Sequence, residues 1–278
     1  MVMRRRSSGG LAVALLGAWL VAPAEARHVP AHPVDAPPCG RIIGQPSVEL
    51  GYCVWPGPAP LLVLLSGLGN DAQSWPRAFV EALNGFAGVL VYDRRGYGGS
   101  AAPAAQAVTA RATAADLQTL LRGLSIREPV VLVGHSLGGL YAQYYARRYP
   151  REVAAVVLID AASPFEPIGD PRFANRAALV PGSPAALENA GVDPAILETR
   201  ALPPFPPIPL LVLSATEHQS PPDVERLWQQ IQAQIAAQSP LGRQVIVRGS
   251  GHAIQDEQPD LVADQIEMLW RQIQPQGR

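Results

Sequence analysis

The sequence predicts an α/β domain: a mostly parallel sheet with helices on both faces. Three observations carry this. Short continuous apolar runs recur along the chain, as strands buried on both faces require. Segments with apolar residues at helical spacing alternate with them. Gly, Pro and Asn clusters separate the two kinds of segment. The 278 residues suffice for one large domain, and 48% hydrophobic against 16% charged residues leaves room for a substantial core.

The elements follow in order. Residues 41–55 hold two short strands with Gly51 at the bend. Leu61–Leu65 is the first continuous apolar strand, and Asp71–Asn84 a helix with Trp75, Phe79, Val80 and Leu83 on one face. Strands at Gly88–Tyr92, Val130–Val133, Val153–Ile159, Leu210–Leu213 and Gln244–Val247 follow. Helices at Thr113–Leu124, Leu137–Arg148, Pro222–Ala237 and Pro259–Gln272 alternate with them. Residues 162–208 break this rhythm with many prolines, Pro203-Pro204 and Pro206-Pro207 among them. So long a connection inside a compact domain is characteristically either functional or disordered, and its place suggests a lid. Phe165, Phe173, Leu179 and Phe205 within it suit an apolar acyl chain, or equally serve to glue the lid to the domain.

The N-terminus differs in kind. Arg4, Arg5 and Arg6 precede an apolar run, Leu11–Ala22, too short to span a bilayer comfortably, and Ala24-Glu25-Ala26 has the form of a cleavage site. Residues 1–26 read as a secretory signal and residues 27–278 as the domain. A membrane is then a partner only if that segment is retained. Loss of three arginines and Glu25 takes the net charge from -1 to -3. No basic face is visible, which argues against nucleic acid. The two cysteines, Cys39 and Cys53, would meet an oxidising compartment and are expected to pair. With no histidine pair nearby they do not complete a metal site.

The chemistry concentrates at Gly134-His135-Ser136-Leu137-Gly138-Gly139, between a buried strand and a helix. A serine on such a turn projects its hydroxyl above the sheet edge. The helix behind it offers the Leu137 N–H to a developing oxyanion. The glycine turn Ser66-Gly67-Leu68-Gly69 can aim the Leu68 N–H at the same place. His252, on the loop after the final strand, is the best placed of five histidines to act as base. His135, inside the serine turn, should point away from Ser136. Two acids compete to orient His252. Asp160 ends the strand Val153–Ile159, and Glu217 follows the strand Leu210–Leu213. The order Ser, acid, His fits both, and the absence of aspartate from residues 214–220 shifts weight to Asp160.

These residues resemble the α/β-hydrolase superfamily. The match runs in order through SGLG at 66–69, YDRRGYGGS at 92–100, GHSLGG at 134–139, VVLIDA at 156–161, PLLVLSA at 209–215 and GSGH at 249–252. The resemblance implies an eight-stranded, mostly parallel sheet, a Ser-His-acid triad, no cofactor, and a small-molecule ester as substrate. The turn at 93–100 looks like the one that shapes the family's pocket floor. Most relatives place an aspartate after the seventh strand, where this chain has Thr216-Glu217-His218; others use an acid after the sixth, as Asp160 would be. Serine at 136 separates the chain from dehalogenase and epoxide hydrolase relatives, which use aspartate there. Lactone hydrolysis, perhydrolysis and cleavage of small peptides are the sister activities. A catalytically inactive binding protein of the same fold is the reading from another class.

Overall fold

The computed structural model describes residues 39–44, 48–101, 107–173 and 178–274. The expected export segment, residues 1–26, and the leader 27–38 lie outside the described residues.

The elements are β1 (Cys39–Gly44), β2 (Val48–Trp55), β3 (Leu62–Leu65), α1 (Arg77–Asn84), β4 (Val89–Tyr92), α2 (Ala110–Gly123), β5 (Val130–His135), α3 (Leu137–Arg148), β6 (Val153–Ile159), α4 (Pro184–Ala190), α5 (Val192–Arg200), β7 (Leu210–Ala215), α6 (Pro222–Ala236), β8 (Gly242–Val247), α7 (Ile254–Glu257) and α8 (Pro259–Gln272). They form one eight-stranded sheet in the order β1-β2-β4-β3-β5-β6-β7-β8. The six strands from β4 to β8 in that order run parallel, and β1 and β2 are antiparallel additions at one edge.

The apolar runs are continuous because both faces are covered. Val63, Leu65, Leu132, Val156 and Leu158 face a core built with α2, α3 and α6. Their neighbours Leu62, Leu64, Val131, Val133 and Val157 face a second core built with α1 and α8. Each strand thus sends alternate side chains to opposite cores.

Two expectations are corrected. Gly51 is not at a bend: it lies inside β2, opposite Arg41. A Cβ there would come within 3.0 Å of the Gly99 backbone, so the glycine admits the 93–100 turn against the sheet. The helix expected over Asp71–Asn84 is interrupted. A 3-10 turn at Ala72–Ser74, capped by Asp71, is followed by a restart after Pro76. Proline cannot donate to the preceding turn, so the two pieces do not merge.

Cys39 and Cys53 are joined by a disulfide. They sit directly opposite each other in the β1–β2 pair. By the loop-entropy relation, closing this 14-residue separation contributes about 3 kcal/mol. No helix among the described residues is long and apolar enough to cross a membrane.

Within residues 162–208 the structure describes α4 and α5. Phe205 is buried in the core beside α3, and Phe173 stacks on Trp228 of α6. These two fasten the insertion to the domain, while Phe165 is exposed.

Candidate active site

Ser136 stands between β5 and α3 with φ 52° and ψ -124°, a backbone conformation that costs a non-glycine residue energy. Two glycines make the turn possible by close approach. A Cβ on Gly134 would lie 2.6 Å from Gly139 Cα, and one on Gly138 would lie 2.1 Å from the Leu65 carbonyl oxygen. Leu137 begins α3, so its N–H has no carbonyl one turn back to bond.

The Ser136 hydroxyl donates to His252 Nε2 at 2.9 Å, and His252 Nδ1–H donates to Asp160 Oδ2 at 2.7 Å. The assignment of protons follows from the partners, since a carboxylate only accepts. Asp160 follows β6, the strand beside β5. The two turns are bonded directly: Ser136 N–H donates to Ile159 O at 3.1 Å, and Ala162 N–H to Ser136 O at 2.9 Å.

Asp160 is fully buried and collects four donors. Oδ2 accepts from His252 and from His218 Nε2 at 2.6 Å; Oδ1 accepts from Trp228 Nε1 at 2.8 Å and Ala215 N at 3.0 Å. Burial alone would raise its pKa. The hydrogen bonds and charges of His218 and His252 outweigh it and hold the carboxyl well below the usual range.

Glu217, the competing acid, is exposed and makes no hydrogen bond to a histidine among the described residues. Its contribution is through the backbone. The N–H groups of Thr216 and Glu217 both donate to Ser250 O, at 3.1 and 3.0 Å, and so hold the loop that carries His252. Glu257 of α7 holds the same loop by accepting from Gly251 N at 2.8 Å. His135 makes no bond to Ser136; its Nε2–H donates to the His252 carbonyl at 3.0 Å. Burial lowers its pKa to about 4, so it is neutral near pH 7 and can make that bond.

The loop at 66–69 lies against Ser136; a Cβ on Gly67 would be 3.2 Å from Ser136 Cβ. Arg94 fixes its conformation. The guanidinium is buried and donates to Ser66 O at 2.6 Å and Gly67 O at 2.7 Å. A trans peptide points its N–H opposite to its C=O. Pinning Gly67 O to Arg94 therefore turns the Leu68 N–H away from Arg94. Glu188 of α4 completes the cluster. It pairs with Arg94 Nε at 2.6 Å and accepts from Gly69 N at 3.1 Å and the Tyr97 hydroxyl at 2.8 Å. The insertion is thus tied by a buried ion pair to the loop beside the serine.

Asp160, His218 and His252 are the one trio of potential metal ligands among the described residues, their ligand atoms within 4.8 Å of one another. Both histidines already direct a nitrogen at the carboxylate, so the trio is a hydrogen-bonded cluster as it stands. A cavity of about 680 Å³, lined by Tyr52, Leu61, Leu124, Ile126 and Val130, opens at the opposite edge of the sheet, where β3 and β5 begin. It holds none of these groups.

The sequence model of the family described as alpha/beta hydrolase fold matches residues 60–182, a stretch that carries Ser136 and Asp160. YqjL of Bacillus subtilis, a protein of uncharacterised activity, is 25% identical over 75% of this chain and 83% of its own length. RutD of Agrobacterium fabrum, provisionally named a carbamate hydrolase, is 35% identical over 49% of this chain. That match covers 48% of RutD, so the chain spans about half the length of this relative. Among solved structures, a thermophilic esterase from Thermogutta terrifontis superposes with a TM-score of 0.68 at 24% identity, over 86% of this chain and all of the esterase. With the eight-stranded sheet and the strand–serine–helix turn, these likenesses show that the chain has the α/β-hydrolase fold.

Proposed function

We propose that the protein is an exported serine hydrolase that cleaves carboxylic esters through an acyl-enzyme. The observation that carries this reading is the hydrogen-bonded line Ser136–His252–Asp160, with distances of 2.9 and 2.7 Å. In this reading His252 takes the Ser136 proton as the hydroxyl attacks the ester carbonyl. Asp160 holds the Nδ1–H tautomer and stabilises the imidazolium that forms. The N–H groups of Leu68 and Leu137 receive the oxyanion, each donor contributing roughly 3 kcal/mol to the barrier. His252 returns the proton to the leaving alcohol, and then activates the water that frees the acyl group.

The esterase name of the Thermogutta structure and the carbamate hydrolase name of RutD agree with attack at an acyl carbon. An enol-lactonase from Burkholderia xenovorans has the same fold, at a TM-score of 0.64. The disulfide and the arginine-led apolar N-terminus support export.

The test is turnover of p-nitrophenyl acyl esters of graded chain length, with a carbamate and a lactone alongside, by wild type and Ser136→Ala. The reading expects ester cleavage by the wild type, none by the variant, and stoichiometric labelling of Ser136 by a fluorophosphonate. A folded wild type that neither turns over an ester nor takes the label would point instead to a binding protein of this fold.

A further inference from the structure

Asp160 Oδ2 is shared by two imidazoles. His252 Nδ1 lies 2.7 Å from it and His218 Nε2 2.6 Å. His218 comes from the loop after β7, and its other nitrogen, Nδ1, lies 3.0 and 2.9 Å from the two carboxylate oxygens of Glu225 on α6. Each nitrogen of His218 therefore meets an acceptor. A neutral imidazole has one N–H; only the imidazolium has two. The geometry thus calls for a cation at 218.

The surroundings agree. Burial of the ring opposes charge, but the hydrogen bonds and charges of Asp160 and Glu225 prevail and raise its pKa to about 9. The ionisable groups that meet it come from three elements: Asp160 after β6, Glu225 on α6 and His252 after β8. Asp223 faces Arg172 of the insertion at 3.6 Å. His252 has His135 at 4.8 Å on another side, and that ring is uncharged near pH 7. His218 lies on the other side, with ring centres 6.2 Å apart.

We infer that His218, clamped between Asp160 and Glu225, is a positioning residue that keeps His252 neutral, and so able to act as base, at lower pH than Asp160 alone would allow. This rests on the Ser136–His252–Asp160 reading above. Two effects act in the same direction. The positive charge disfavours a second imidazolium beside it, and the bond to Oδ2 weakens the carboxylate's hold on the His252 proton.

The experiment is the pH dependence of fluorophosphonate labelling of Ser136 in wild type and His218→Gln. Glutamine can keep a donor towards Asp160 but carries no charge. The readout is the midpoint of the acidic limb, taken relative to each protein's own plateau. The inference expects that midpoint to move up by roughly one pH unit in the variant. An unmoved midpoint, whatever the plateau, overturns it and leaves the hydrolase reading standing. A wild type that takes no label at any pH removes both. Should His218→Gln fail to fold, imidazole NMR on the wild type decides. His218 is expected to stay protonated through pH 8, and a neutral His218 at pH 7 overturns the inference.

Discussion

On one side of Ser136 the Asp160 carboxylate gathers two histidines, an indole and a backbone amide. On the other, the Glu188 carboxylate gathers an arginine, a tyrosine and a backbone amide. Both clusters are buried at the acid and both converge on the same turn. They differ in what their cations can do. An imidazole can take up and release a proton, and His252 is half exposed beside the Ser136 hydroxyl. A guanidinium stays charged throughout, and Arg94 is sealed at 4% exposure. In the proposed reaction the first cluster moves a proton, while the second holds a peptide plane still.

The largest expected effect is on the proton-handling side. Asp160→Asn should lower kcat by roughly 10⁴-fold with the fold intact, because the His252 tautomer is no longer imposed. Single-turnover kinetics on a p-nitrophenyl ester, with circular dichroism alongside, would measure it; near-wild-type kcat would remove Asp160 from the mechanism. Next comes the static cluster. Glu188→Gln leaves a buried guanidinium without its counter-charge, and should cost about 3–5 kcal/mol in urea unfolding. Replacing both residues, with Arg94→Met and Glu188→Leu, should recover most of that stability. It should still depress kcat more than it changes KM, since the Leu68 peptide is no longer pinned. Equal kcat in that double variant would show that the loop holds its shape unaided.

The clusters should also separate by pH. The folded pKa of Asp160 is depressed, so its contribution is present above the unfolded carboxylate value and lost as pH falls through the folded one. The folded pKa of His218 is raised to about 9, so its contribution is full below the unfolded value near 6.5. It declines as pH rises through about 9. Thermal scans should therefore show an alkaline loss between pH 7 and 10 that His218→Gln removes and Glu188→Gln does not. Smaller again, Cys39→Ser should cost about 3 kcal/mol while leaving kcat unchanged in the folded protein, since the bridge lies in β1–β2. The smallest effect belongs to Glu217→Gln, expected within about 0.5 kcal/mol of wild type, as for an exposed side chain.

The contrast also explains what the sequence could reveal. Ser136 and the strands are legible because their signals are local: an apolar run, a glycine-flanked turn, a helix start. His252 is legible from its place after the last strand. Asp160 emerges by weighing two positions, because strand order, not spacing, decides which acid meets the histidine. Gly51 is misread because glycine permits both a turn and a close approach, and only the Gly99 contact separates them. Pro76 splits the first helix, and the apolar periodicity that runs across it does not register the break. The rest of the site is long-range. His218 and Trp228 reach Asp160 across 58 and 68 residues, and Glu188 reaches Arg94 across 94. No periodicity carries that information.

The backbone bonds between the Ser136 and Asp160 turns have a mechanical consequence. Ser136 N–H holds Ile159 O and Ala162 N–H holds Ser136 O, so the turn that carries the hydroxyl and the turn that carries the carboxylate form one unit. A displacement of β5 against β6 would carry both hydrogen-bond partners of His252 in step, and leave the line through its ring unbroken.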